Sequence, residues 1–390
     1  MPIDRYLVKL TETLSTAKFL FAHRCMLERH FCNDNFQHIK AGMEWLFRAQ
    51  DSTEDDGVSK GFALNQGWLP SYVETTGYII PTMFDCAVRF GWNDCHERAL
   101  KMAEWELANQ FSDGSFPGCQ IETGGTPLVF DTGMVIFGLL RTYEETKDKR
   151  FKTASQKAGN WLIDIQEASG EWKQFTLNNQ PRAYHARVAW ALLRLSVVTN
   201  QDKYQRAAER NLQWVMRQQH SNGWFENNSF YGGTKAITHT IAYATRGLLE
   251  GGIITQESAF IHAAEKTAVA LCTSQRSDGS LPGSFNPDWR GPPGFSCLSG
   301  NAQAAIIWLR LFEVTGKARF LTAANRTVKF LKTMQDLTTR YKQIRGGIKS
   351  SHPVFTGYMR FFYSNWAIKF FIDLLLLQSD INKSYGNGKE

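Results

Sequence analysis

The sequence predicts an all-α protein, a single (α/α)6 toroid of six helical hairpins, and three observations lead there. First, six segments place an apolar or aromatic residue five positions before a glutamine: Trp45 and Gln50, Trp105 and Gln110, Trp161 and Gln166, Trp214 and Gln219, Ala270 and Gln275, Phe330 and Gln335. The glutamines stand 53–60 residues apart, the period of a repeated two-helix unit. Second, most of these glutamines precede a glycine turn, as at Asp113-Gly114, Gly170, Asn222-Gly223, Asp278-Gly279 and, later, Gly346-Gly347. Glycine ends a helix without a Cβ clash. Third, each turn is followed by a smaller-residue or more apolar segment, over roughly 72–90, 130–146, 184–198, 237–250, 298–314 and 360–378. A helix apolar all round belongs inside.

The segments before the turns read as outer helices. Ala, Leu and Lys are frequent there, and apolar residues recur at three and four. The unit is therefore outer helix, glycine turn, loop, inner helix. Six units close an inner ring of six helices inside an outer ring of six. Residues 1–35 are expected to hold an N-terminal helix, about 3–30, packing on the barrel. Residues 36–378 form the toroid, and the polar stretch 379–390 is expected to fray.

Composition fits this picture. The chain has 390 residues, 43% hydrophobic and 21% charged, which excludes a disordered or collagen-like protein. No run approaches the ~18 apolar residues that span a membrane. The net charge of +7 is spread rather than clustered, so no nucleic-acid partner is expected; it suits either a solvated basic surface or an acidic ligand. The seven cysteines are odd in number and form no CxxC pair. Cys25, Cys32, Cys86, Cys95, Cys119, Cys272 and Cys297 read as reduced, mostly buried thiols, and no metal or cofactor is expected. No secretory signal pattern opens the chain, so the expected location is cytoplasmic.

The outer-helix motif carries a resemblance. Lys157-Ala158-Gly159-Asn160-Trp161-Leu162, then Gln166, then Gly170-Glu171-Trp172, resembles the QW repeat of terpenoid cyclases. Arg210, Trp214-Val215, Gln219 and Gly223-Trp224 make a second copy, and the others are degenerate. The resemblance covers nearly the whole chain and implies the toroid shared with protein prenyltransferases. It implies a structural role for the motif: Gln braces a helix end and Trp packs beside it. The toroid is also similar to that of many glycoside hydrolases, polysaccharide lyases and sugar 2-epimerases, so fold alone does not assign function. The cyclases carry an Asp-x-Asp-Asp-Thr motif whose middle Asp is the proton donor. Here only Asp131-Thr132 survive, and Phe130 stands at the donor position.

Candidate chemistry sits where the inner helices begin. Those starts read Glu74-Thr75-Thr76-Gly77, Asp131-Thr132-Gly133, Tyr184-His185-Ala186-Arg187, Thr238-His239-Thr240, Ser299-Gly300-Asn301 and Tyr363-Ser364-Asn365. Such a polar ring on apolar helices is costly to bury unless paired or used. Each member also has a structural reading. Asp131 and Ser299 suit an N-cap, Glu74 suits a helix N-terminus, and His185 and His239 suit core histidines bonded to a carbonyl. The catalytic candidates are Glu74, Asp131, His185 and His239. Substrate-binding candidates are Tyr184, Arg187, Asn301 and Asn365, with Trp68, Tyr72, Tyr78, Trp224, Phe225, Tyr231, Trp289 and Arg290 from the loops. Asp-Gly-Ser-Phe-Pro-Gly at 113–118 and Asp-Gly-Ser-Leu-Pro-Gly at 278–283 are near copies, expected to make equivalent turns in opposed hairpins.

Two acids on adjacent inner helices could act as general acid and base across a glycosidic bond. Alternatively His185 or His239 could abstract a proton beside a uronate carboxylate that Arg187 neutralises. The leading expectation is thus a carbohydrate-active enzyme, a glycoside hydrolase or a lyase or epimerase acting on an acidic glycan or sugar, with a small-molecule or oligosaccharide substrate. The alternatives are an isoprenoid cyclase-like enzyme and a non-catalytic ligand-binding toroid.

Overall fold

The computed structural model describes residues 32–120, 125–230 and 232–386. The expected helix over 3–30, Cys25 and Tyr231 lie outside them. Twelve α-helices are described. Six form the outer ring: α1 (Asn35–Asp51), α3 (Asn93–Asn109), α5 (Lys149–Asp164), α7 (Asp202–Arg217), α9 (Ser258–Thr273) and α11 (Ala318–Lys332). Six form the inner ring: α2 (Val73–Phe90), α4 (Val129–Thr146), α6 (Ala186–Thr199), α8 (Thr238–Thr255), α10 (Leu298–Thr315) and α12 (Asn365–Gly386). Each inner helix packs on the next, and α12 packs back on α2 to close the ring. The last helix runs on to Gly386, through residues expected to fray. Ile381 on it is buried, which holds that turn in place.

The packed hairpin is not the unit read from the sequence. Each inner helix turns into the following outer helix through two residues, and those two helices pack together. The first residue of every such turn is left-handed: Gly91, Lys147, Asn200, Gln256 and Gly316. Only two are glycine, so this turn leaves little trace in composition. The glycines that are conspicuous in the sequence belong to the long connections from outer to inner helix. As a consequence α1 has no preceding inner helix and packs on α12, so the two ends of the toroid share one hairpin. Strand β1 (Gly61–Ala63) seals the same seam by pairing with strand β2 (Phe362–Ser364).

The glutamine repeat has a specific task. The Gln110 side-chain amide donates to Gly114 O and to Ala154 O of the next outer helix, both at 2.9 Å. Gln166 does the same to Gly170 O and Ala207 O, both at 2.9 Å. Gln335 donates to Gly346 O at 2.7 Å and His38 O at 3.0 Å, which carries the pattern across the seam onto α1. Each glutamine thus ties its own turn to its neighbour's backbone. The glycine is required by contact as well as by conformation. Gly346 has φ +85°, and a Cβ there would lie 2.0 Å from Ala41 O. Trp45, Trp105, Trp161 and Trp214 are all buried, Trp45 against Trp68 and Trp161 against Phe175 of the long connections.

The near-copied loops do make equivalent turns. Asp113 Oδ1 accepts from Ser115 N and Asp278 Oδ1 from Ser280 N, both at 2.9 Å. Among the described residues no helix is long and apolar enough to cross a membrane, and the six described cysteines are free.

Candidate active site

All the long connections emerge at the mouth where the inner helices start, so polar residues in the first helical turns meet there. Glu74 is the second residue of α2, Asp131 the third of α4 and His239 the second of α8, while His185 closes the short turn Ala183–His185 ahead of α6. The four line one cavity of about 130 Å³, together with Tyr72, Phe130, Tyr184, Phe230, Tyr243, Tyr358 and Trp366. Aromatic rings make most of its wall. Phe130 packs on Tyr184 and Tyr243 at 5.5 and 5.0 Å, and His239 on Tyr243 at 4.3 Å.

The two carboxyls are held differently. Asp131 is not an N-cap; Leu128 occupies that position. Its Oδ1 instead accepts the Cys119 N–H at 2.8 Å, which fixes the loop to the helix. Burial pushes the Asp131 carboxyl up to about 6, against the pull of that N–H. Glu74 is raised further, to about 8, by burial and then by the charge of Asp131. Two like charges in one dry pocket cannot both ionise cheaply. Near neutral pH the pair therefore shares one proton, with Glu74 the more strongly raised of the two. One carboxyl can donate while the other accepts, which is what acid–base chemistry on one bond needs.

The histidines are neutral. Burial lowers His185 and His239 to about 3. His239 Nδ1 takes a bond from the Gln303 amide at 2.8 Å and lies 3.1 Å from Ser299 Oγ. With Nδ1 accepting, the ring proton sits on Nε2, so His239 is a donor rather than a base. Among the described residues His185 Nδ1 has no hydrogen-bond partner. Ser299, suited by sequence to an N-cap, holds His239 instead.

Several sequence candidates lie elsewhere. Arg187 is enclosed below the cavity floor, with its guanidinium 5.0 Å from the Tyr243 ring, 5.3 Å from Phe370 and 5.8 Å from Tyr78. Tyr78 belongs to the second turn of α2, not to a loop, and helps form this floor; both it and Arg187 face the opposite mouth. Asn301 and Asn365 are fully buried braces. Asn301 accepts from Leu281 N and donates to Cys297 O; Asn365 donates to Ser59 O and Thr75 Oγ1. Trp68 packs against Trp45, and Trp224 against Trp289, whose indole donates to Asn222 O. Arg290 is exposed, and Phe225 is buried in the core. None of these lines the cavity.

The wall also contains residues the sequence reading passed over. Tyr243 stands four residues after His239 and so shares its face, a signal that was available. Phe230 and Tyr358 come from loops without periodicity and left none.

A family model for the squalene-hopene cyclase C-terminal domain matches residues 70–248, less than half of the chain. No curated protein sequence matches. Solved structures match over nearly the full length. An unsaturated glucuronyl hydrolase specific for heparin superposes with TM-score 0.73 at 14% identity, over 90% of this chain and 99% of that one. The unsaturated glucuronyl hydrolase responsible for glycosaminoglycan degradation in Bacillus sp. GL1 gives 0.70 at 15%, over 90% and 97%. Cellobiose 2-epimerase from Bacillus thermoamylovorans gives 0.70 at 11%, over 88% and 98%. At these identities the likeness establishes the fold: the chain is an (α/α)6 toroid.

Proposed function

We propose that the protein is a carbohydrate-active enzyme that hydrolyses the terminal sugar of an oligosaccharide, with Glu74 as proton donor and Asp131 as the carboxylate that activates water. The observation that carries this reading is the pair itself: two enclosed carboxyls on adjacent inner helices, raised unequally so that one stays protonated. The aromatic wall supports it, because ring faces stack on the apolar faces of sugars. The cavity is blind, its floor closed by Tyr78, Tyr243, Phe370 and Arg187, so a chain end fits where a through-running polymer does not. The structural neighbours include enzymes that act on glycosaminoglycan-derived and disaccharide substrates. Lys60 lies near enough to lower both carboxyls, which favours an acidic sugar. A cytoplasmic site of action, on imported oligosaccharide, suits the free thiols.

Proton abstraction leading to elimination or epimerisation is the second reading. It is favoured by the unpartnered Nδ1 of neutral His185 at the cavity wall. A cyclase role lacks its donor, since Phe130 occupies that position and carries no proton to give. The test is turnover of a panel of oligosaccharides ending in neutral sugars or uronates, read by mass spectrometry. Release of one terminal sugar with uptake of water supports hydrolysis; an isomer of unchanged mass supports epimerisation instead. No turnover of any glycan, with consumption of a prenyl substrate, overturns the carbohydrate reading.

A further inference from the structure

The axis of the barrel opens again beyond the floor, at the mouth where the inner helices end. There the cavity is about 440 Å³, and its character is ionic. Most of the charges are matched: Arg141 with Asp85 at 2.6 Å, Arg194 with Glu144 at 2.9 Å, Lys369 with Asp373 at 2.5 Å, and Arg310 with Glu313 at 2.6 Å and Glu250 at 3.2 Å.

Two guanidiniums are left short of partners. Among the described residues, Arg187 is 2% exposed, its Nη1 has no hydrogen-bond partner, and its Nε meets only the Met134 sulfur at 3.2 Å. Arg246 comes no closer than 3.5 Å to Glu250, a carboxylate already shared with Arg310, and its Nε has no hydrogen-bond partner among the described residues. Both lie against one indole, Trp190, at 5.3 and 5.0 Å. Burying a cation without a partner is costly. Cations at the last turn of a helix gain from its dipole, but Arg187 is the second residue of α6 and gains nothing there.

We propose that this second cavity binds a small oxyanion, a phosphate or carboxylate group, held between Arg187 and Arg246 beside Trp190. A guanidinium offers paired N–H donors in a fork that matches two oxygens of such a group, and the indole lets the ligand carry an apolar portion. The site is separated from the Glu74–Asp131 cavity by the aromatic floor, although the Arg187 charge reaches Glu74 and His239 across it.

The test is calorimetric titration of the purified protein at low ionic strength with inorganic phosphate and, separately, citrate. Saturable binding of one or both is expected, and the tighter of the two identifies the headgroup. Arg246→Met is expected to weaken binding at least tenfold, and Glu250→Gln, which removes the competing carboxylate, to tighten it. Arg246→Lys, keeping charge without the fork, is the second variant should the Met form fail to fold, and is expected to weaken binding too. Asp131→Asn is expected to bind as the wild type does. Absence of saturable binding by both anions, equal affinity in the Arg246 variants, or loss of binding in Asp131→Asn overturns the proposal.

Discussion

Replacing Glu74 by Gln should make the protein more stable at alkaline pH and less active at every pH. In the unfolded chain Glu74 ionises at its ordinary value of 4.5, and in the folded pocket at about 8. The folded state therefore binds the proton more tightly, and stability falls as pH rises between those two values. At about 1.4 kcal/mol per unit, the folded state loses on the order of several kcal/mol by pH 9. Below pH 4 both states are protonated and the penalty is absent. Gln cannot ionise, so it escapes the penalty. Urea denaturation of wild type and Glu74→Gln at pH 4, 6 and 9 measures it: the two should be close at pH 4 and diverge in favour of the variant at pH 9. Turnover of the variant should fall about 10²–10⁴-fold, the usual worth of a general acid or base. A stability difference that does not change with pH would refute the account of the pocket. Full activity in Glu74→Gln would refute its role as donor.

Other consequences can be checked with simple variants. Catalytic efficiency should be bell-shaped in pH, falling below about 6 as Asp131 takes a proton and above about 8 as Glu74 loses one; a flat profile across that range counts against the pair. Asp131→Asn should lose activity to a similar degree while keeping the Cys119 N–H bond, so its melting temperature should not fall. Gln110→Ala removes both donors that tie Gly114 O and Ala154 O and should cost about 1–3 kcal/mol in urea denaturation. Gly346→Ala and Gly233→Ala share a left-handed backbone, φ +85° and +80°, but only the first meets a neighbour. Both should pay the left-handed strain of about 1–2 kcal/mol; Gly346→Ala should lose clearly more, and equal losses would mean the ring seam is not held as described.

The toroid was legible because its repeat is written in side chains that packing requires. Gln110, Gln166 and Gln335 must reach a neighbour's carbonyl, and Gly346 must admit Ala41 O, so residue type and spacing survive in the sequence. The hairpin pairing was misread for the opposite reason. Lys147 and Gln256 make the tight turns without glycine, and nothing in their identity marks them; Asn200, a residue that tolerates the left-handed conformation, was the one hint besides Gly91 and Gly316. At the site, Glu74, Asp131, His185 and His239 could be found because each begins an inner helix, and helix starts converge at one mouth. Asn301 and Asn365 follow the same rule yet turn to backbone partners, a choice that depends on loops no periodicity describes. Arg187 follows His185 by only two residues, which turns it to a different face of its helix, so it points below the floor rather than into the cavity.

The measurement that tests the central claim most directly is a crystal structure of Glu74→Gln soaked with oligosaccharides ending in a neutral sugar or a uronate. The account predicts a terminal sugar in the 130 Å³ cavity, stacked on its aromatic wall, with its glycosidic oxygen within hydrogen-bond reach of residue 74 and Asp131 facing the same bond. A sugar bound elsewhere on the toroid, or oriented with that bond away from both side chains, would contradict it.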